Sequence, residues 1–202
     1  MRVFKVLPQN GASNSYIITA DGKEAVVVDP SEERIADILD KNGLVCKAVL
    51  LTHGHFDHVG GCGVLFNRGA VICCGENEND LIFSKEYLNI FGGVSVPRFE
   101  IGRTFRDNEE FDFCGIKFKA LSTAGHTAGS MCYIADGVIF SGDTLFAGSI
   151  GRTDLPTGNY REIMNSLKKL SNLDGDYTVL CGHGEDTTLE QERHYNAFLR
   201  NI

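Results

Sequence analysis

The sequence lacks long apolar segments and is short of positive charge. No run approaches the ~18 consecutive apolar residues that a membrane-spanning helix needs. The first residues, MRVFKVLPQNGASNSYII, contain a Lys and a Pro that interrupt the apolar core of a signal peptide, so we expect a cytoplasmic protein without a membrane segment. With 19 Lys and Arg against 27 Asp and Glu, the net charge of -8 disfavours nucleic-acid binding, because that affinity comes largely from cations. Small-molecule substrates are therefore favoured.

Low-complexity tracts and repeats at a fixed period are also missing. The 202 residues are 43% hydrophobic and 23% charged, which predicts one globular domain spanning residues 1–202. Seven cysteines, an odd number, lie mostly inside apolar strings and are predicted to be reduced thiols packed as small hydrophobes. Cys73 and Cys74 would point to opposite faces of a strand, which disfavours a shared redox or metal-binding role. The oligomeric state is left open.

Short β-branched runs bounded by Gly, Asp, Asn or Pro predict strands along most of the chain. These runs are VFKVL, SYIIT, EAVVVD, KAVLLT, AVICC, IKFKAL, SMCYI, VIFSG and YTVLC. They alternate with amphipathic segments and are apolar enough to be covered by helices. The pattern predicts an α/β fold in which sheets lie between helical layers.

Helices are predicted between the strand-like runs. Ser31 can cap a helix that ends at the stop signal of Asn42 and the glycine after it. A second helix begins at Asn159, where Glu162 completes a capping-box-like pair. A third is predicted to close the chain, because four apolar residues there follow helical spacing: Tyr195, Phe198, Leu199 and Ile202.

Four potential metal ligands fall within the six residues HGHFDH at 53–58. In a helix, His53 and His55 would project roughly 200° apart and could not bind one ion. In an extended turn they share one side, and a bend then sends Asp57 and His58 to a neighbouring position before a helix that begins near Val59. Three of the six histidines lie here, so we interpret the cluster as a metal site.

Two further histidines follow strand-like runs and are flanked by glycine: His126 in AGHTAGS and His183 in CGHGE. Asp143 in FSGDTLF adds a carboxylate at another strand end, where a turn or helix-cap role is the alternative. Neutral imidazole and carboxylate are the ligands expected for zinc near neutral pH. His194 lies outside every motif and is assigned no role.

The motifs HGHFDH, AGHTAGS, SGDTLF and CGHGE, in this order, resemble the metal-binding motifs of the metallo-β-lactamase superfamily. They span residues 53–183, and the stretches GDTLFAGSIGRTDLP and GHGEDTTLEQER are similar to those of small, single-domain glyoxalase II-like hydrolases. The resemblance implies an αββα sandwich with two mixed sheets covered by helices. It agrees with the pattern of strands and helices described above.

The resemblance also implies two divalent metal ions, zinc in the first place, with iron or manganese as alternatives. It places His53, His55 and His126 on one ion. It places Asp57, His58 and His183 on the other ion, with Asp143 between the two. Such a centre implies a metal-dependent hydrolase in which a metal-bound hydroxide, oriented by Asp57, attacks a thioester or ester carbonyl, as in hydroxyacylglutathione hydrolases.

Substrate contacts are less well defined by the residues. Arg152, the cation in the glycine-rich loop AGSIGRTDLPTG, is a candidate contact for a glutathione carrier, and an ion pair with Asp154 is the alternative. Full-length glyoxalase II enzymes carry a C-terminal helical domain, whereas this chain ends about twenty residues after His183. Weaker use of lactoylglutathione or a preference for another acyl thioester is therefore expected.

Three other functions fit parts of the pattern. Persulfide dioxygenases share the fold and the GRTD signature but use one iron bound by two histidines and an aspartate, which makes a mono-iron oxidoreductase the main alternative. A binding protein that has lost its chemistry is disfavoured, because no ligand position is replaced. Nuclease members of the superfamily are disfavoured by the acidic balance of the chain.

Overall fold

The computed structural model describes residues 1–202, apart from the side chain of Asn201. Within that range, the larger sheets each contain six strands. In the first sheet the spatial order follows the chain: β1 (Arg2–Val6), β2 (Ser15–Thr19), β3 (Glu24–Val28), β4 (Val45–Leu50), β5 (Val71–Gly75) and β6 (Ile101–Phe105). Strands β1 to β3 pair antiparallel and β3 to β6 pair parallel, so this sheet is mixed.

The second sheet is formed by the later strands β7 (Glu109–Phe113), β8 (Ile116–Ser122), β9 (Met131–Ala135), β10 (Val138–Gly142), β13 (Thr178–Cys181) and β14 (Thr187–Thr188). Their spatial order is β14-β13-β10-β9-β8-β7. The β10–β13 pair is parallel and the others are antiparallel, so this sheet is mixed as well. A small hairpin, β11 (Leu145–Phe146) and β12 (Ser149–Ile150), follows β10.

Helices connect and cover the sheets. They are α1 (Ile35–Lys41), α2 (Phe56–Val59), α3 (Cys62–Asn67), α4 (Asn79–Ile82), α5 (Lys85–Ile90), α6 (Tyr160–Ser171) and α7 (Leu189–Tyr195), followed by a 3-10 turn at Leu199–Asn201. Among the described residues, none of these helices has the length and apolarity needed to cross a bilayer.

Side-chain alternation along the strands divides the buried residues into three layers. In β2, Tyr16 and Ile18 pack between the two sheets, whereas Ile17 packs under α1 and α3. The outer face of the second sheet packs in the same way against α6 and α7. The predicted αββα sandwich is thus confirmed. Cys73 lies between the sheets and Cys74 on the helix side, which confirms their predicted opposite orientation.

The helix predicted from Asn159 is confirmed, together with the Asn159 cap, but Glu162 does not complete a capping box because the backbone N–H of Asn159 donates to the carbonyl oxygen of Gly125 at 2.8 Å. The Asn159 Oδ1 atom accepts hydrogen bonds from the backbone N–H groups of Arg161 and Glu162 at 3.0 and 3.2 Å. These bonds satisfy donors that the first turn of a helix leaves free. The predicted apolar stripe of α6 is buried, and it comprises Ile163, Leu167 and Leu170.

The other two helix predictions need correction. Ser31 does not cap α1, which begins at Ile35, because the buried Ser31 hydroxyl instead bonds the Ser15 hydroxyl at 3.0 Å. Of the four apolar residues predicted for the last helix (Tyr195, Phe198, Leu199 and Ile202), only Tyr195 lies in it. It ends at Tyr195 because the next residue has extended backbone angles. It begins earlier, where Thr188 Oγ1 accepts from the backbone N–H of Gln191.

Five strands were not predicted: the two-residue strands β11, β12 and β14, and the edge strands β6 and β7. Strands β6 and β7 alternate buried with exposed residues, so their charged positions hide them from a search for apolar runs. Their inward side chains still pack between the sheets: Phe105 of β6 stacks on Phe111 of β7 with ring centroids 4.1 Å apart. The two rings therefore contribute apolar contact where each sheet has an unpaired edge.

Candidate metal centre

Five of the six histidines converge where strands from both sheets end. HGHFDH follows β4 of the first sheet, whereas His126, Asp143 and His183 follow β8, β10 and β13 of the second. His194 lies exposed on α7, away from this cluster. One expectation is wrong in detail: the helix begins at Phe56 and not near Val59, so it includes Asp57 and His58. The extended backbone of His55 directly before α2 separates the two halves of the motif.

The first donor group consists of His53, His55 and His126. The Nε2 atom of His126 lies 3.2 Å from Nε2 of His53 and 2.9 Å from Nδ1 of His55. All three side chains are buried. Tetrahedral ligands of one zinc ion at 2.0–2.1 Å would be roughly 3.3 Å apart, so these three nitrogen atoms have the spacing of one ion's ligands.

The second donor group consists of Asp57, His58 and His183. The Asp57 Oδ2 atom lies 3.1 Å from Nε2 of His183 and 3.8 Å from Nε2 of His58. Their donor atoms all lie within 4.8 Å of one another. His58 is fully buried, whereas Asp57 and His183 are partly exposed. The second group is therefore the one closer to solvent.

Asp143 lies between the two donor groups. Its Oδ2 atom is 3.5 Å from Nε2 of His126 in the first group and 3.5 Å from Nε2 of His183 in the second. Its Oδ1 atom is 3.4 Å from Nε2 of His58. The structure thus brings together all seven side chains that the motifs single out, in the two sets expected, with one carboxylate facing both.

Hydrogen bonds on the outer nitrogens fix how three of the histidine rings are protonated. Nδ1 of His58 lies 2.9 Å from Oδ2 of Asp29, and a carboxylate can only accept, so Nδ1 donates. Nδ1 of His126 likewise donates to the carbonyl oxygen of Arg152 at 2.8 Å. The Thr52 hydroxyl donates to Asp29, which leaves its oxygen to accept from Nδ1 of His53. In each neutral ring, Nε2 therefore keeps a free lone pair directed at the cluster.

Asp29 is a functional residue that the motif search missed. It follows β3, is buried, and has a positive φ of 48°. Its two oxygens accept from the backbone N–H of Thr52 at 2.8 Å, the Thr52 hydroxyl at 2.6 Å and His58 at 2.9 Å. Through Thr52 it also orients His53. A carboxylate directly after the strand-like run AVVV is the same signal that identified Asp143, so the sequence contained it.

Glu78 was also missed, and it joins the two loops that carry the first donor group. Its Oε1 atom accepts from the backbone N–H of Gly54 at 2.6 Å. Its Oε2 atom accepts from the Thr127 hydroxyl at 2.8 Å and the backbone N–H of Gly129 at 2.9 Å. Burial raises the pKa of Glu78 to about 7, against the opposing effect of these hydrogen bonds. Glu78 thereby ties HGHFDH to AGHTAGS.

Glycines are required where the backbone passes close to the donors. A Cβ atom on Gly182 would collide with Oδ1 of Asp143, and one on Gly142, whose φ is +49°, would collide with the side chain of Thr52. Both glycines lie directly beside a donor residue in the sequence. Their lack of a side chain allows β10 and β13 to end close enough for Asp143 and His183 to meet.

Unpartnered polar atoms show that the cluster fits metal ions. Among the described residues, Nε2 of His58 and Oδ1 of Asp143 are buried in the cluster and have no hydrogen-bond partner. Buried polar groups in native proteins are almost always satisfied. Imidazole nitrogens and carboxylate oxygens converging in this way form a donor set for two divalent cations such as zinc. The cluster is thus consistent with a dinuclear metal site.

The electrostatics of the two donor groups differ. Burial lowers the pKa of His53 and His126, and it lowers that of His55 to about 3, so these rings are neutral near pH 7. Burial also lowers the pKa of His58, but Asp143, Asp57 and Asp29 outweigh it and hold that pKa well above its ordinary value. The hydrogen bond to Asp57 raises the pKa of His183.

We expect metal affinity to fall with decreasing pH, and more steeply at the second donor group. Ligand histidines must be neutral. The pKa of His58 is held well above its ordinary value, so an ion must displace its proton near neutral pH, and the pKa of His183 is also raised. The histidines of the first group are already neutral. Calorimetric titration of metal-free protein in two buffers of different ionisation enthalpy counts the protons released per equivalent. Equal proton release for both equivalents would contradict this assignment.

A cleft of about 470 Å³ opens above the two donor groups. Its floor is formed by donor side chains of both groups and Asp143. The walls are largely apolar and aromatic, and they are formed by Phe56, Tyr87, Phe91, Phe146, Ile150 and Leu155, with Ser149 and Arg152 as polar members. A substrate in this cleft would place its reacting atom at the donor cluster.

Arg152 lines the cleft but is already paired. Its guanidinium forms two bonds to Asp154, at 2.7 and 2.8 Å, and both side chains are exposed. The ion pair that was the alternative interpretation is thus present, and a role for Arg152 in binding a glutathione carrier stays a prediction. The backbone carbonyl of the same residue has a separate structural role, since it orients His126.

Comparison with known proteins gives consistent similarities. A family model described as the metallo-beta-lactamase superfamily matches residues 8–183. The chain is 37% identical over 197 residues to the hydroxyacylglutathione hydrolase GloC of Haemophilus influenzae, covering 93% of each chain.

Among solved structures, the fold is similar to that of the BLEG-1 B3 metallo-beta-lactamase. The TM-score is 0.92 at 29% identity, covering 98% of this chain and 99% of the other. It is also similar to TTHA1623, crystallised in a di-iron-bound form, with a TM-score of 0.85 at 30% identity, covering 97% of this chain and 100% of the other. Each similarity extends over nearly the whole chain.

Proposed function

The chain belongs to the metallo-β-lactamase superfamily, and on that premise we propose that it is a dinuclear metal hydrolase that cleaves thioesters of the hydroxyacylglutathione type. The observation that carries the proposal is the arrangement of the donors. Two groups of three side chains, with Asp143 facing both, form the floor of an open cleft. The similarity to the Haemophilus hydroxyacylglutathione hydrolase supports a thioester as the substrate.

Each donor group would hold one divalent ion, and we propose zinc for both. Imidazole and carboxylate without thiolate are typical of zinc sites, but they also suit iron, as the di-iron form of TTHA1623 illustrates. When bound, the two ions supply Lewis-acid polarisation of the substrate carbonyl and lower the pKa of a coordinated water. The other contributions come from the side chains and backbone of the protein.

Asp57 is placed to orient the attacking water. Burial raises the pKa of its carboxyl, but His58 and His183 outweigh burial and hold the pKa below its ordinary value. Asp57 is therefore ionised near pH 7, and it is partly exposed in the cleft. An ionised carboxylate beside the scissile bond can accept a hydrogen bond from water and direct its lone pair towards the carbonyl carbon.

The leaving group is expected to depart without a dedicated acid. Free thiols have a pKa near 8.5, so a departing thiolate needs little protonation near neutral pH. His183 is partly exposed at the edge of the cleft, where its imidazole borders the space available to the substrate. The chain thus contributes a carboxylate that orients water and a cleft that holds the acyl carbon above the donors.

The test is hydrolysis of S-lactoylglutathione by protein of measured metal content. We expect turnover that rises with zinc content up to two ions per chain, is lost after chelation, and returns when zinc is restored. The Lys169→Met variant is a suitable control, because Lys169 bonds Asp107 and Ser122 outside the cleft lining and should not affect turnover. Protein that holds two zinc ions yet leaves the thioester intact would reject this substrate class.

Parallel assays distinguish the alternatives. A chromogenic β-lactam tests the activity named for the BLEG-1 structure. Iron in the purified protein, with oxygen uptake on a glutathione persulfide, would instead support the oxidoreductase. If the purified protein contains iron, hydrolyses the thioester and takes up no oxygen, the proposed hydrolase activity is kept and only the proposed metal changes.

A further inference from the structure

The cleft has an aromatic wall that begins at a metal-site donor. The ring of His55 stacks on Tyr87 with centroids 4.9 Å apart and planes 20° from parallel. Tyr87 meets Phe91 at 5.4 Å, and Phe91 meets Phe56 at 5.0 Å. The Tyr87 hydroxyl accepts from the backbone N–H of Phe56, which anchors α5 against α2. The row of rings therefore extends from the donor floor outwards as a fixed surface.

The opposite wall is also apolar and is only partly covered. Phe146 and Ile150 come from the β11–β12 hairpin, and Leu155 from the loop that follows it. All three are half-buried, as are Phe56 and Phe91 across the cleft. When the cleft holds only water, the apolar side chains on both of its walls are exposed to solvent. An apolar group between them would remove that surface from water at a favourable free energy.

Among the described residues, the cleft lining offers an anionic ligand no unpaired Lys or Arg. Arg152 is the one Lys or Arg among the lining residues of the described chain, and both of its outer bonds go to Asp154. A peptide-like thiol carrier with ionised carboxylates offers little apolar surface. The acyl substituent is the part of a thioester that can be apolar, and it is attached directly to the carbonyl that must reach the donors.

We propose that the cleft selects thioesters whose acyl substituent is apolar and of aromatic size, with the substituent between the His55-Tyr87-Phe91 row and the β11–β12 hairpin. The proposal rests on the proposed thioester hydrolysis for its chemistry, but the apolar subsite itself is a property of the walls. Phe91 determines the specificity, because it forms the outer part of the row.

A matched pair of substrates isolates the acyl substituent. S-mandeloylglutathione and S-lactoylglutathione share the carrier and the α-hydroxyl and differ only in phenyl against methyl. We expect kcat/KM to be about tenfold or more higher for the mandeloyl thioester, since apolar pockets discriminate to this extent between groups that differ by a few carbons. In Phe91→Ala the ratio should fall to about threefold or less. Phe83→Ala removes an exposed ring that packs on Phe99 outside the cleft and should leave the ratio unchanged.

A binding measurement separates failure of the subsite from failure of the hydrolase. Calorimetry with mandelate and lactate on zinc-loaded protein reports the apolar subsite without turnover. About tenfold tighter binding of mandelate, lost in Phe91→Ala, supports the subsite even if neither thioester is cleaved, in which case the proposed hydrolase fails alone. Equal binding of the two acids, or a kinetic ratio near one, overturns the subsite even if both thioesters are hydrolysed.

Discussion

Replacing Asp143 with asparagine is expected to lower kcat/KM for the thioester by about 10³-fold or more and to reduce the bound metal from two ions to about one. The carboxylate faces donors of both groups at 3.4–3.5 Å, so a cation in either group would have it as a neighbour. A unit charge pair at about 4 Å is worth about 4 kcal/mol at an effective dielectric constant of 20, and that corresponds to about 10³ in affinity or rate. Metal analysis after dialysis and steady-state kinetics measure the two effects.

The amide keeps the shape of Asp143 and removes only its charge. Burial raises the pKa of the Asp143 carboxyl, but His58, His126 and His183 outweigh burial, so the group is ionised at neutral pH. In the variant, Asp57 is the one carboxylate left among the seven donors. The two cations would then repel each other with less negative charge between them, and we expect the more exposed second donor group to lose its ion first.

Asp136→Asn is the matched control for this change. It also removes one carboxylate, but Asp136 is exposed and pairs with the amino terminus far from the cleft. It should retain two ions and full activity. Two tightly bound ions in Asp143→Asn, with activity within tenfold of the parent, would show that Asp143 does not serve both groups.

The donor residues could be predicted because their signals are local. Each lies in a short glycine-containing motif that follows a strand-like run, and a loop at the end of a buried strand is where a rigid scaffold presents functional side chains. The glycines in turn permit the close approach that the structure shows at Gly182 and Gly142. The predicted ends of the strands therefore also predicted where the donor residues would lie.

The supporting residues were harder to predict because their roles depend on distant partners. Glu78 lies in the polar stretch GENEND, and its partners Gly54 and Thr127 are 24 and 49 residues away. Only the folded chain shows that its carboxylate is buried between them. The aromatic wall was hard to predict for the same reason. Phe56 and Phe91 come from separate segments, and the residues around them in the sequence do not indicate that the two rings are in contact.

For Asp29 the sequence contained a local signal, but that signal was not enough to predict the role of the residue. A carboxylate after a strand-like run predicts a strand-end position, but it does not distinguish a metal donor from a residue that orients one. The distinction comes from the partners of its oxygens. Both are occupied by N–H and O–H donors from Thr52 and His58, which leaves Asp29 to act through those residues.

Replacing Asp29 with asparagine is therefore expected to weaken both ions, because Oδ2 of Asp29 accepts from the Thr52 hydroxyl as well as from His58. The backbone N–H of Thr52 can only donate, so the amide oxygen should stay opposite it and place the amide NH₂ against Nδ1 of His58. Nδ1 must then accept, which moves the ring proton to Nε2 and removes the lone pair that the second donor group needs. The Thr52 hydroxyl also loses its acceptor, so it would donate to Nδ1 of His53 and move the proton of that ring to Nε2 in the same way. Loss of such an orienting partner typically costs 10–100-fold in metal affinity. Competition with a chromogenic chelator should show both equivalents weakened by about that factor.

Thr52→Val tests one branch of the same network on its own. Valine matches the shape of threonine but removes the hydroxyl between Asp29 and His53, and the Asp29 contact to His58 is retained. The first donor group should now be the weaker one, with the second close to its parent affinity. Proton release on titration identifies the weakened ion, since His53 of the first group is neutral at pH 7 and His58 of the second is protonated. Weakening of both equivalents in Thr52→Val, or of neither in Asp29→Asn, would show that Asp29 does not orient the two groups through separate branches.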